Sequence, residues 1–352
     1  MVAVNMKGCK VASKEKISVG VIGVGWFGEL HARIYASMPQ AHLVGVCDKN
    51  QARAEEVAQN IGVRAYQGID DLLSDPKIQA VSISTSDHQH VEPALKACAA
   101  GKHVLVEKPM AMSLVDCDRI KNAADKAGIQ LMPGHLLHFN TTVKNAFHKI
   151  RSGEIGEVSH IFSHRSLPKS AAHRVAHWDN YHAILFHLAV HDIDMISWLA
   201  GDQIEEVYAQ YRHGTIESEG SKLTDAVLSL LRFKGGALAI MEHSWIHPNN
   251  YPILVEAATT VTGTKGKIVI DLEGRGAIRF SDKGVHHFQE TYWPIFFDQL
   301  SSDLKNELEV FVSSIANQQP LPITPDEGKR SIAVALAMQQ SFETHLPVKV
   351  AS

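Results

Sequence analysis

The sequence predicts an α/β architecture in two parts. An N-terminal, doubly wound parallel sheet is followed by an α+β domain with an open, largely antiparallel sheet. Three observations predict it. The chain has 352 residues, which at roughly 150 residues per domain leaves room for about two domains. Short apolar runs alternate with amphipathic stretches through the first third, the mark of a parallel sheet covered on both faces. After about residue 140 successive strand-like runs stand beside a few helices, the mark of an α+β arrangement.

The expected strands of the first part are Ile17–Ile22, His42–Cys47, Ala80–Ser84, His103–Val106 and Gln130–Met132. Each is a short apolar run, as strands buried on both faces must be. The expected helices between them are Phe27–Ser37, Gln51–Asn60, His90–Ala100 and Ser113–Ala127, with Gly62, Gly101 and Gly128 as stop signals. In the second part helices are expected at Thr142–Ile150, Ala183–Leu199, Asp298–Ala316 and Asp326–Glu343. Strands are expected at Val158–Arg165, Ile204–Tyr211, Ala226–Phe233, Ala237–His243 and Pro252–Ala258. The expected division is a tail over 1–16, a nucleotide-binding domain over 17–138 and a substrate and oligomerisation domain over 139–352. The last helix is apolar enough to pack back on the first domain.

Hydrophobic residues at 45% and charged residues at 20% are ordinary for a globular chain. The net charge of −4 offers no basic field for nucleic acid. No run of about 18 apolar residues is present to span a membrane. The first sixteen residues lack a continuous apolar segment and read as a frayed tail, not a signal peptide. Cys9, Cys47, Cys98 and Cys117 are scattered without CxxC spacing, so a reducing cytoplasm is the simplest setting. Histidine is over-used: ten of the 21 fall between His135 and His191. Since histidine titrates near neutrality and ligates metals, the surplus is either chemistry in this stretch or a compositional habit that leaves most of these residues at the surface.

The first strand runs into Gly23-Val24-Gly25-Trp26-Phe27-Gly28, a G-x-G-x-x-G that opens a helix. Gly23 allows the tight turn, Gly25 lets the backbone approach a pyrophosphate, and Gly28 lets helix pack on strand. The free N–H groups of the helix N-terminus then face the phosphates. Asp48, 20 positions after Gly28, ends the second strand, where a carboxylate binds the adenosine ribose and repels a 2′-phosphate. These residues predict a Rossmann domain that prefers NAD to NADP. Arg53, near enough to reach a 2′-phosphate, is the residue that could reverse the preference.

The segment Ala100-Gly101-Lys102-His103-Val104-Leu105-Val106-Glu107-Lys108-Pro109-Met110-Ala111 places Lys108 at the carboxyl edge of the sheet, where ligands of such folds bind. With it stand G-x-G-x-x-G, Ser84-Thr85-Ser86 with His90, Gly134-His135 with Phe139, the Gly153-Glu154-Ile155-Gly156 turn and His191-Asp192-Ile193-Asp194. On these motifs the chain resembles the glucose–fructose oxidoreductase / inositol dehydrogenase (Gfo/Idh/MocA) family along nearly its whole length. The resemblance implies hydride transfer between nicotinamide and a sugar, cyclitol or polyol carbon. It also implies a homodimer or homotetramer built through the open sheet. Ser84, Thr85, Ser86, His90, Glu107, Trp26 and Phe27 are then expected to border the cofactor, and Lys108 to lie between nicotinamide and substrate. A plainer reading leaves Ser86 or Asp87 as a helix cap and His90 as an exposed helix residue.

His187, His191 and Asp194 are spaced i, i+4, i+7 on one helix face. The family usually has Asp-x-x-x-His here, with the His as proton acceptor; this chain has His187 at the Asp position. His191 is therefore expected to act as base and Lys108 to stabilise the developing alkoxide. His187 is expected to bind a neighbouring hydroxyl, and Asp194 to orient a histidine. A second reading makes His187, His191 and Asp194 metal ligands, although a nicotinamide enzyme of this type needs no metal. His138, Arg165 and Trp178 complete the expected substrate wall. Two further readings stay open: a nucleotide-sugar dehydrogenase or glycoside-oxidising enzyme, and a non-catalytic nucleotide-binding regulator.

Overall fold

The computed structural model describes residues 16–175, 182–272, 278–281, 284–287, 295–296, 299–300 and 302–351. The first sheet contains β1 (Ile17–Ile22), β2 (Ala41–Cys47), β3 (Arg64–Ala65), β4 (Ala80–Ile83), β5 (His103–Glu107) and β6 (Leu131–Gly134). All its pairings are parallel, in the order β3-β2-β1-β4-β5-β6. The chain winds outward from β1 in one direction and then returns to start at β4, so the order reverses between β1 and β4. That reversal opens a crevice at the carboxyl ends of the strands, where a ligand binds in such sheets.

Helices α1 (Trp26–Ser37), α2 (Gln51–Ile61), α3 (Ile69–Ser74), α4 (Val91–Ala99) and α5 (Leu114–Ala127) connect these strands. Local chemistry sets their ends. The Asn50 and Ser113 side chains accept from Arg53 and Asp116 N–H groups, and Gly62 and Gly128 supply left-handed stops. The short β3 and α3 lie outside the sequence expectation, because neither is long enough to show a period.

The second part opens with α6 (Thr141–Arg151), β7 (Val158–Pro168) and α7 (Lys169–Val175). A π-helical turn over Leu185–Ala189 runs into α8 (Val190–Ala200). Then come β8 (Ile204–Arg212), β9 (Ala226–Phe233), β10 (Leu238–His247), β11 (Glu256–Gly263) and β12 (Lys267–Asp271). Two small hairpins follow, β13 (Ile278–Ser281) with β14 (Gly284–His287) and β15 (Ile295–Phe296) with β16 (Gln299–Leu300). The chain ends in α9 (Asp303–Asn317), α10 (Pro325–Thr344) and β17 (Val348–Lys349).

The second sheet has the order β12-β11-β7-β10-β9-β8-β17 and is antiparallel except at β7–β10. Its strands alternate buried and exposed residues, so one face packs inward and the other stays open. α9 inserts Leu304, Leu308, Phe311 and Val312 into the core shared with Val19, Val21 and Tyr35 of the first domain. α10 packs against α8 and β8 and also meets α5 and β6.

Two expected elements start several residues later. The strand expected at Pro252–Ala258 lies at Glu256–Gly263, where Thr259, Thr260 and Thr262 continue it; threonine fits a pleated surface but does not register as apolar. The helix expected from Asp298 starts at Asp303, because the Ser302 side chain accepts the Lys305 N–H and caps it there.

Candidate active site

The crevice between β1 and β4 opens into a cleft of about 1330 Å³ that runs from the glycine loop to α8. Its nucleotide end is built by the loop after β1. Gly23 has φ +85°, and a Cβ there would lie 2.8 Å from the Thr85 nitrogen. A Cβ at Gly28 would lie 1.9 Å from the Gly23 carbonyl oxygen, so helix and strand meet through glycine alone. A Cβ at Gly25 would meet none of the described atoms within 4 Å, leaving the loop open toward the cleft. No side chain caps α1, so its N-terminal N–H groups are available for phosphate.

Asp48 lines the cleft and its carboxylate accepts the N–H groups of Val24 and Asn50 at 2.8 and 2.9 Å. Arg53 is turned away from a 2′-phosphate role by its partners: it pairs with Glu29 and Glu56 and donates to the Val24 carbonyl. This donor and acceptor set fits NAD. Trp26 and Phe27 line the same end, as do Ser84, Thr85, Ser86, His90 and Glu107. His90 is fully buried, not an exposed helix residue: its ring nitrogens lie 2.7 Å from the Pro109 carbonyl and 3.0 Å from that of Thr85. It therefore ties the loop after β4 to the turn after β5. Glu107 accepts the Lys108 N–H at 3.2 Å and lies 3.1 Å from His31.

At the other end Lys108, Arg165, Arg174, His187 and His191 line the cleft together. Lys108 Nζ donates to the His187 carbonyl at 2.9 Å. His187 Nδ1 lies 3.2 Å from Asp87 Oδ2. Burial, with Lys108 and Arg165 nearby, holds His191 well below the ordinary histidine value. Burial and Lys108 lower His187 as well, opposed by Asp87. Burial alone would raise the Asp87 carboxyl, but His187, Lys108 and His90 outweigh it and hold the group low.

Arg165 is set in place from behind. Its Nε and Nη2 both donate to Asp192 at 2.8 Å, and His243 Nε2 is 3.0 Å from the same carboxylate. Burial opposes ionisation there, yet Arg165 and His243 bring the Asp192 carboxyl down to about 2.

Four expectations need correction or fall elsewhere. His138 is not part of the cleft wall: its Nε2 lies 2.8 Å from Asp194 and its ring stacks on Trp198, so it braces α8. Asp194 orients His138, with His135 at 3.7 Å, and neither His187 nor His191. The trio His187, His191 and Asp194 therefore does not converge, and among the described residues no group of three His, Cys, Asp or Glu is placed to hold a metal. Trp178 lies outside the described residues.

Sequence reasoning missed Asp87 and Asp192. Asp87 read as a helix cap, yet its carboxylate faces His187. Asp192 alternates with Asp194, and an i, i+4 face count selects only one of them.

A family model described as "Oxidoreductase family, NAD-binding Rossmann fold" matches residues 17–135, and one described as "GFO/IDH/MocA C-terminal domain" matches residues 143–269. The chain belongs to the Gfo/Idh/MocA family. It is an NAD-binding oxidoreductase with the two-domain fold of that family. Among curated Gfo/Idh/MocA relatives, it is similar to a myo-inositol 2-dehydrogenase of Thermotoga maritima, 28% identical over 94% of this chain and 98% of the relative. It is also similar to a 2,7-anhydro-N-acetylneuraminate hydratase of Escherichia coli, 29% identical over 88% of this chain and 82% of the relative. A crystal structure of a probable dehydrogenase from Thermotoga maritima superimposes with a TM-score of 0.82 at 25% identity, covering 95% of this chain and 99% of that one.

Proposed function

We propose that this Gfo/Idh/MocA protein oxidises a secondary alcohol of a cyclitol, sugar or related polyol. NAD, held by the Gly23–Gly28 loop and Asp48, would supply the hydride acceptor. The observation that carries this reading is the junction of Lys108, His187 and His191 at the far end of the nucleotide cleft, with Lys108 Nζ 2.9 Å from the His187 carbonyl. Lys108 binds the reacting oxygen and stabilises the negative charge that develops on it. One of the two histidines takes the hydroxyl proton, and the other binds a neighbouring hydroxyl. Arg165, held by Asp192, presents a fixed donor to the substrate.

The test is a panel of cyclitols, aldoses and nucleotide sugars mixed with protein and NAD, followed by NADH absorbance. The expected result is turnover of at least one polyol, lost in Lys108→Ala with NAD affinity retained. Tight NAD binding without turnover of any compound would overturn the reading in favour of a nucleotide-binding regulator. The hydratase relative favours a second reading, and 2,7-anhydro-N-acetylneuraminate in the panel tests it: consumption without net NADH formation is its signature.

The open face of the second sheet supports a homodimer or homotetramer. Tyr208, Leu230, Ile240 and Phe162 pair in one row across β8, β9, β10 and β7, and each is more than a third exposed. Contiguous exposed apolar surface of this kind marks an association site. Cys47, Cys98 and Cys117 are buried free thiols, which suits a reducing cytoplasm. Among the described residues no helix is long and apolar enough to cross a membrane.

A further inference from the structure

The two cleft histidines stand in different surroundings. His187 sits on the π turn with its side chain 29% exposed, and its Nδ1 is 3.2 Å from Asp87 Oδ2. Asp87 comes from the other domain, in the 3-10 turn Asp87–Gln89 after β4, and is buried. Among the described residues no carboxylate hydrogen-bonds His191, whose charged neighbours are Lys108 and Arg165. A neutral imidazole always offers one nitrogen lone pair; an acceptor on the N–H nitrogen fixes which one it is, holds the ring's orientation and stabilises the imidazolium.

We propose that Asp87 is a positioning residue that makes His187 the proton acceptor. Asp87 Oδ2 accepts the Nδ1–H of His187, which turns the Nε2 lone pair toward the substrate hydroxyl. This inference rests on the polyol-oxidoreductase reading. In that reaction the carbinol C–H and O–H bonds break and a C=O bond forms. NAD would supply the two-electron acceptor for the hydride, and the proton forms an N–H bond at His187 Nε2, from which it passes to solvent. The imidazolium so formed faces the Asp87 carboxylate, so charge is neutralised where it appears. His191 stays neutral and binds a substrate hydroxyl.

The groups around the dyad fix the direction of its pH response. Lys108 beyond β5 and Arg174 on α7 disfavour a protonated His187, whereas Asp87 favours it; His191 on α8, itself held well below the ordinary histidine value, faces the dyad as a neutral ring. Lys108 and His90 in turn help keep Asp87 ionised. Removing the Asp87 charge must therefore make His187 less basic.

Asp87→Asn preserves shape and removes that charge. In cofactor-free protein, an NMR titration of the histidine ring nitrogens, with the His187 signal assigned through His187→Gln, reads the dyad without turnover. The expected result is a wild-type His187 in the Nδ1–H tautomer, with a titration that moves to lower pH in Asp87→Asn. In the loaded enzyme kcat should fall roughly 10- to 100-fold, the acid limb of kcat/KM should move to lower pH by the same interval, and Asp87→Glu should recover part of both. An Nε2–H tautomer in the wild-type protein overturns the proposal whatever the variants do. So does an acid limb that survives His187→Gln and vanishes in His191→Gln. Absence of any polyol turnover sinks the underlying reading, and the NMR arm still decides the Asp87–His187 pairing.

Discussion

Lys108 Nζ hydrogen-bonds the carbonyl oxygen of His187 at 2.9 Å. One bond thus joins the carboxyl edge of the parallel sheet to the π turn of the second domain. With the Asp87–His187 contact at 3.2 Å, it fastens both the backbone and the ring of His187 to the nucleotide domain. Neither domain alone contains the site, so its geometry depends on how the two pack.

Cofactor choice should respond to Asp48. The carboxylate faces the cleft and Arg53 is occupied by Glu29 and Glu56. Asp48→Ser is expected to weaken NAD and strengthen NADP, moving the ratio of their affinities toward NADP by about tenfold or more, the loss of one charged hydrogen bond and one repulsion. Fluorescence titration with each cofactor checks this; an unchanged ratio contradicts it.

Asp192 holds Arg165 and His243 in an environment closed to water. Asp192→Asn leaves the Arg165 guanidinium without its counter-charge and should cost about 3–5 kcal/mol of stability. The loss should appear in the urea midpoint, and an unchanged midpoint would contradict the assigned role.

Acid should weaken the fold before carboxylates titrate. Burial holds His103, His135, His182, His187 and His191 below their ordinary value. The unfolded chain binds those protons first, so stability is full above about pH 6.5 and is lost as pH falls through and below it. A urea midpoint that is lower at about pH 5.5 than at about pH 7.5 is expected; a flat or rising midpoint would contradict it.

The row Tyr208, Leu230, Ile240 and Phe162 should be covered by a second copy of the chain. Leu230→Lys combined with Ile240→Lys is expected to lower the mass seen by light scattering to that of a monomer. An unaltered oligomer in the double variant would place the interface elsewhere.

The sequence carried the parts of this account that depend on neighbours in the chain. Gly23, Gly25 and Gly28 and the strand ending in Lys108 read directly, because turn chemistry and apolar runs are local. The partner of each polar group did not read, because contacts are made between distant segments. Asp87 meets His187 across 100 positions and His138 meets Asp194 across 56. Spacing placed Asp194 on the same helix face as His191, yet His138, its ring stacked on Trp198, claimed it. Threonine-rich β11 slipped because its strand preference lies in branching, not in apolarity.

In the proposed reaction a carbinol hydride would leave the substrate for NAD in this cleft, with Lys108 on the reacting oxygen. The most direct measurement takes a polyol that the protein turns over, deuterated at the reacting carbon, and follows the label by NMR and mass spectrometry. Deuterium is expected on the nicotinamide ring of the reduced cofactor, at a rate that falls roughly 10²- to 10⁴-fold in Lys108→Ala. Label released to water, or transfer that proceeds unchanged without Lys108, would contradict it.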